Sequence, residues 1–382
     1  MTESSQSGHP LTSPAPVRLL TFYLPQFHPI PENDRWWGRG FTEWTNVAKA
    51  RPLFSGHPQP HLPSELGFYD LRVPEVREAQ ADLARAYGIS GFCYYHYWFS
   101  GRRLLNRPFD EVLASGRPDF PFCLCWANEN WTRRWDGADQ EVLMPQQHSA
   151  EDDHAHIEHL LPAFEDPRYI RVDGKPLFLV YRTELLPEPT RTAAIWRERA
   201  ISAGIGDLYL ARVESFVPNV DPKTVGFDAA IEFAPDWQVL PAARSHRQRW
   251  DLPAWIMRRL GRLGLTANAD PIHRIYPYDL LARGMLEKSP VHYRRFRCAT
   301  PQWDNSPRRP NGSVIFQDST PAIYERWLRA LVQATRDAVP GDERLVFVNA
   351  WNEWAEGNHL EPDQLWGRAY LEATARALDL AR

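Results

Sequence analysis

Two carboxylates stand three residues apart near the C-terminus, in the run Trp351-Asn352-Glu353-Trp354-Ala355-Glu356. If the segment begins a helical turn, positions i and i+3 face the same way. Two carboxyl groups so placed suit the cleavage of a glycosidic bond. One protonates the leaving oxygen and needs a raised pKa; the other acts as base or nucleophile. The plain alternative is that both acids complement a helix N-terminus. Trp351 and Trp354 beside them, at the end of the apolar run Leu345-Val-Phe-Val-Asn-Ala350, favour the chemical role.

Similar residues follow other apolar runs. Pro25-Gln-Phe-His28 follows the first and Tyr95-His96-Tyr-Trp98 the second. Trp126-Ala-Asn128-Glu129-Asn-Trp131 follows the third, Glu214-Ser215 the fifth, Glu232 to Asp236-Trp237 the sixth, and Gln302-Trp303-Asp304 the seventh. Carboxylates and aromatic rings thus gather at one end of the runs. Aromatic faces suit the C–H faces of sugar rings, and their N–H and O–H tips remain free to hydrogen-bond. Candidate substrate contacts are therefore His28, Tyr95, His96, Trp126, Asn128, Glu129, Trp131, Glu214, Asp236, Trp237, Trp303, Asp304, Trp351, Asn352 and Trp354, with Glu43 and Trp44 closing over from an insertion. Several have bland alternatives: Glu129 pairing with Arg133 or Arg134, His28 and His96 as core histidines, Asp236 and Asp304 capping turns. His154 and His156 differ by two and share no helix face, so no metal site is expected. Nothing calls for a cofactor.

Eight elements must position these residues. The runs 18–24, 89–95, 122–126, 177–181, 208–213, 227–233, 296–300 and 345–350 are short and nearly continuously apolar, as buried parallel strands are; 296–300 is the weakest. Helical patterns lie between them at 75–87, 152–164 and 191–203, after a Thr320 N-cap with Pro321, and at 365–380. Strands each followed by a helix predict a (β/α)8 barrel, whose chemistry sits at the C-terminal strand ends. A doubly wound sheet is the alternative, but no G-x-G-x-x-G or Walker sequence follows the first strand. Long insertions follow strand one (25–71) and strand six (234–295). Within the second, 252–265 reads as a short basic amphipathic helix, suited to a barrel rim or to an anionic lipid surface.

The chain has 382 residues, a length ordinary for one barrel, and a net charge of 44 − 48 = −4. That balance argues against a nucleic-acid partner. Residues 1–17 read as a disordered tail without the cationic and apolar parts of a secretion signal, and 18–382 as one catalytic domain. No run is long enough to span a membrane. Sixteen Trp, 14 Tyr and 18 Phe give the aromatic surface a sugar site uses. The four cysteines lie in apolar runs without zinc spacing and read as reduced core residues of a cytoplasmic protein.

Tyr-Leu-Pro-Gln-Phe-His (23–28), Gly-Phe-Thr-Glu-Trp-Thr-Asn-Val (40–47) and Gly-Phe-Cys-Tyr-Tyr-His-Tyr-Trp (91–98) resemble the WbsX-type proteins. So do Trp-Ala-Asn-Glu-Asn-Trp-Thr-Arg-Arg-Trp-Asp (126–136), Asp-Gly-Lys-Pro (173–176) and Asn-Ala-Trp-Asn-Glu-Trp-Ala-Glu-Gly (349–357). The resemblance covers about residues 18–380. It implies a barrel similar to glycoside hydrolase family 99, although the family is often labelled glycosyltransferase. It further implies a retaining, metal-independent hydrolase acting on α-linked mannose- or rhamnose-like sugars of a bacterial surface polysaccharide. Glu353 would be base on the sugar 2-hydroxyl, giving a 1,2-anhydro sugar, and Glu356 would be acid and then base. Mannose specificity does not carry over, because the tryptophan cluster and the Arg-rich insertion belong to the WbsX-type branch. The alternatives are a glycosyltransferase or transglycosylase in lipopolysaccharide, O-antigen or capsule assembly, and a non-catalytic glycan-binding module. The expected partner is an oligo- or polysaccharide, lipid-linked where such glycans are built, with peripheral contact to the inner membrane face through 252–265.

Overall fold

The computed structural model describes residues 16–133, 138–240, 243–247, 259, 272–309 and 311–380. Eight parallel strands close into a barrel: β1 (Arg18–Tyr23), β2 (Ile89–Phe99), β3 (Phe122–Trp126), β4 (Lys175–Val180), β5 (Tyr209–Glu214), β6 (Ala229–Glu232), β7 (Arg295–Ala299) and β8 (Leu345–Val348). Each pairs with the next, and β1 closes the ring, with Thr21 opposite both Val348 and Phe92. All eight apolar runs are barrel strands, the weak seventh included. Successive side chains point to opposite faces of a strand. Phe22, Phe233 and Phe347 meet inside the ring, with Phe22 packing on Tyr95 at 5.6 Å between ring centroids. Alternate residues face the helices outside.

Nine helices frame the described barrel: α1 (Pro31–Trp37), α2 (Glu43–Lys49), α3 (Pro74–Ala86), α4 (Arg107–Ser115), α5 (Ala150–Glu165), α6 (Pro189–Ser202), α7 (Tyr278–Leu286), α8 (Pro321–Ala338) and α9 (Ala369–Ala377). In α8 the Thr320 hydroxyl accepts a hydrogen bond from the Ile323 N–H, satisfying one orphan donor. Tyr324, Trp327, Leu328 and Leu331 then form one buried stripe. Burying each stabilises by about 1.5–3 kcal/mol. The C-terminal helix is shorter than its 365–380 pattern. Asp363 accepts from the Trp366 N–H and holds that stretch in a loop.

The first insertion folds into α1, α2 and a loop that reaches across to the segment after β8: Ser64 N–H donates to Pro362 O and Gln364 N–H to Leu62 O. The second insertion supplies two strands, Arg244–Arg247 and Ile272–Pro277. The latter pairs with Val314–Gln317 from the connection after β7. That small sheet holds residues 303–309 at the barrel mouth. The 252–265 segment, Arg259 excepted, lies outside the described residues, as does the tail before residue 16. No helix among the described residues is long and apolar enough to cross a membrane.

Candidate functional site

A cavity of about 720 Å³ opens at the C-terminal strand ends. Tyr95, Tyr181 and Phe233 form its aromatic floor; Tyr181 meets Phe233 at 5.4 Å and Tyr95 at 5.9 Å, both edge-on. Tyr97 and Trp131 stand on one side with centroids 5.1 Å apart, and Trp237 and Trp303 on the other, 5.5 Å apart. Glu129, Asn349, Arg308, Glu353 and Glu356 supply polar groups between these walls. The space suits a few sugar units held between ring faces.

Glu353 and Glu356 are carried by a small hairpin, Asn352–Glu353 paired with Asn358–His359, with a single 3-10 turn, Trp354–Glu356, inside it. The hairpin is anchored at both ends. Asn352 brackets the end of β1, accepting from Leu24 N–H and donating to Leu24 O. The Asp304 N–H donates to Glu356 O at 2.7 Å. Gly357 closes the turn at φ +57°, and a Cβ there would lie 3.1–3.2 Å from Asp304 atoms. Any other residue would be strained by backbone and neighbour alike. Below, Glu361 accepts hydrogen bonds from Trp354 Nε1, Tyr69 OH and Gln80 Nε2 at 2.6–2.7 Å. Burial pushes its carboxyl up to about 7 despite those donors.

The electrostatic centre is Arg308, which the sequence reading missed. Its guanidinium meets Glu353 at 2.8 Å, Glu356 at 3.1 Å and Glu43 at 3.1 Å. Three carboxylates share this cation. Burial pushes the carboxyls of Glu353 and Glu43 upward; Arg308 opposes the shift, and the neighbouring glutamates add to it. The Glu353 side chain is 9% exposed and that of Glu356 22%, so Glu356 stands nearer the open mouth.

The cavity brings together Tyr95, Glu129, Trp131, Trp237, Trp303, Glu353 and Glu356 of the expected residues. Others lie outside its lining. His96 and Trp126 sit on the helix-facing side of β2 and β3 because of strand alternation. His96 Nε2 meets His156 Nε2 at 2.9 Å, and Trp126 donates to Trp98 O. Glu214 accepts from Tyr293 OH, and Asp236 pairs with Lys288 at 2.6 Å while accepting from Gln238 N–H. Asn128 braces the Arg182 backbone. Asp304 is held by His57 and Gln59. Trp351 and Trp354 are buried, Trp354 between Trp44 and His359. Trp44 donates to Tyr69 O. His28 is buried, and burial lowers its pKa to about 4. A ligand confined to this cavity would not touch these side chains. Glu43 acts at one remove, through Arg308. Glu129 pairs with Arg182 at 2.7 Å, and Arg182 lies 4.2 Å over the exposed Phe216; Arg134 and the Arg133 side chain, its expected partners, lie outside what the structure describes.

Arg308 stands four residues beyond Asp304, where reading past strand seven stopped. The excess of acids at one rim was the available signal, since buried carboxylates need a cation. Among the described residues His61, His359 and Asp363 offer ligand atoms within 4.8 Å of one another, outside the cavity lining.

A family model described as "Glycosyltransferase WbsX" matches residues 19–374. A protein of Xanthomonas campestris pv. campestris (strain B100), designated uncharacterized protein WxcX, is 47% identical over 366 residues, covering 96% of this chain and 50% of that protein. The chain thus spans about half the length of the curated relatives it matches. Among solved structures, a "Glycoside hydrolase-like protein" superposes with a TM-score of 0.59 at 15% identity, covering 99% of this chain and 98% of that one. The GH99 endo-alpha-mannosidase from Bacteroides thetaiotaomicron gives 0.53 at 16% identity, covering 95% and 96%. At such identities the likeness is one of fold.

Proposed function

Because the chain belongs to the glycosyltransferase WbsX family, we propose that it is a carbohydrate-active enzyme that cleaves an α-glycosidic bond with retention in a bacterial surface polysaccharide. The observation that carries the reading is the pairing of Glu353 and Glu356 on one buried guanidinium, in a cavity walled by tryptophan and tyrosine. Residues 18–382 act as the catalytic unit.

In the first half-reaction Glu353 takes the proton of the sugar 2-hydroxyl. The 2-oxygen attacks the anomeric carbon, the glycosidic C–O bond breaks, and Glu356 gives its proton to the leaving oxygen. In the second, Glu356 takes a proton from water, whose oxygen attacks the anomeric carbon. The bond from that carbon to the 2-oxygen breaks, and Glu353 returns its proton. Both groups end as they began, and no step uses a metal. The raised proton affinity of Glu353, caused by its burial, supports its role, because a stronger base takes a hydroxyl proton more readily than an ordinary carboxylate. The scheme needs a 2-hydroxyl trans to the leaving group, as in α-mannose- or α-rhamnose-like sugars.

The family description favours a second reading, in which a sugar hydroxyl replaces water and the enzyme transfers. The same glutamates serve both. Incubating wild type and Glu356→Gln with host surface polysaccharide or its lipid-linked precursor, with mass spectrometry of the products, tests the proposal. Shorter glycan from wild type alone is expected. A mass gain seen only with added sugar nucleotide would replace hydrolysis by nucleotide-dependent transfer.

A further inference from the structure

Behind the glutamate hairpin, three chain segments bring four polar side chains into one buried knot. His359 Nδ1 lies 2.9 Å from Glu361 O. A carbonyl oxygen only accepts, so Nδ1 carries the hydrogen and the lone pair of the neutral ring is on Nε2. That Nε2 faces His61 Nδ1 at 3.2 Å, an Asp363 carboxylate oxygen at 3.8 Å and the Gln302 amide at 3.4 Å. All four residues are buried.

We propose that His61, His359 and Asp363 bind one divalent transition-metal ion, zinc fitting best, in a structural site that pins the catalytic hairpin to the first insertion. The ligand spacing matches such an ion. Tetrahedral zinc with ligands at about 2.0–2.2 Å places them about 3.3–3.6 Å apart; the two edges at His359 are 3.2 and 3.8 Å, and the third, from His61 to Asp363, is within 4.8 Å. Two imidazoles and one carboxylate form a borderline donor set that selects zinc and its neighbours over calcium or magnesium. The Nδ1–H bond to a carbonyl is the support that orients metal-bound histidines. The other Asp363 oxygen is fixed by the Trp366 N–H at 2.5 Å. Loop backbones 62–64 and 362–364 are already joined by hydrogen bonds, so the site is assembled before an ion enters. Gln302, through its amide oxygen, or a water completes the shell. His359 also stacks on Trp354 at 3.7 Å, between the two glutamates in sequence. An ion here therefore holds the hairpin and stays off the cavity.

The test uses tag-free full chain, loaded with Zn²⁺ or Co²⁺, passed over a desalting column, and assayed for metal by mass spectrometry. One equivalent is expected, with a melting temperature that falls on chelation and returns with Zn²⁺. The Co²⁺ form should show the intense visible bands of a four-coordinate site. His61→Gln and Asp363→Asn should lose the equivalent while keeping wild-type circular dichroism. Less than a tenth of an equivalent in wild type, or full retention in both variants, overturns the proposal. If neither variant folds, the wild-type Co²⁺ spectrum decides: weak six-coordinate bands overturn it. None of these readouts depends on glycan cleavage, so the site and the proposed activity stand or fall separately.

Discussion

Replacing Arg308 by methionine keeps the volume of the side chain and removes the cation that three glutamates share. At an effective dielectric of about 20, a unit pair about 4 Å apart is worth about 4 kcal/mol, so three pairs sum to about 12 kcal/mol. The measured loss will be smaller, because an abandoned carboxylate takes up a proton. For a glutamate of pKa about 4.3 that costs about 3.7 kcal/mol at pH 7, at 1.36 kcal/mol per unit. Burial has already raised Glu43 and Glu353, so part of that cost is present in the wild type. We expect a net loss of about 3–5 kcal/mol, the usual cost of breaking a buried pair. With an unfolding entropy of about 2.1 cal/mol/K per residue over 382 residues, this lowers the melting temperature by about 4–6 °C. The loss must depend on pH. Without Arg308 the folded-state pKa values of Glu43 and Glu353 rise further above their unfolded values. Such carboxylates cost nothing below the unfolded pKa, and the cost grows as pH rises from there to the folded pKa. Calorimetry at pH 4.5 and pH 8 should therefore show a small gap at acid pH and the full gap at alkaline pH. Adding Glu43→Gln should recover 1–2 °C at pH 8, as a contact pair that couples. A gap equal at both pH values, or no recovery, would refute the neutralising role of Arg308.

Glu356→Gln should cut turnover of native glycan by about 10²–10⁴, with a much smaller loss for an aryl glycoside whose leaving group needs no proton; steady-state rates on both substrates check this. The acid limb of kcat/KM should lie above the ordinary carboxylate range, because burial raises Glu353 and activity needs its base form; a limb near pH 4 would contradict that assignment. Trp237, 37% exposed at the cavity mouth, should act as a sugar platform, so Trp237→Ala should raise KM about threefold to tenfold, for roughly 1 kcal/mol of ring contact, with kcat little changed. Sedimentation with anionic vesicles tests 252–265: charge reversal of Arg258, Arg259 and Arg262 should abolish any binding the full chain shows.

The barrel was legible in the chain because buried parallel strands have a local signature, and all eight runs became strands. The rim position of Glu353 and Glu356 followed from the same logic, since a strand's end can be read from where its apolar run stops. The α8 helix was equally readable from Thr320, Pro321 and its apolar spacing. What the chain alone did not decide was which face of a strand end each polar residue takes. Tyr95 and His96 are neighbours, yet one lines the cavity and the other packs against α5, because alternation reverses direction at every residue. Nor did it decide charge partners distant in sequence. Arg308 meets Glu43 across 265 positions, and Arg182 meets Glu129 across 53. The small sheet of 244–247, 272–277 and 314–317 sets the first of these by holding the loop after β7 over the mouth. Local propensity encodes strands and caps, because their causes lie within a few residues. Long-range ion pairs depend on how the insertions close over the barrel, and only the tertiary structure decides that.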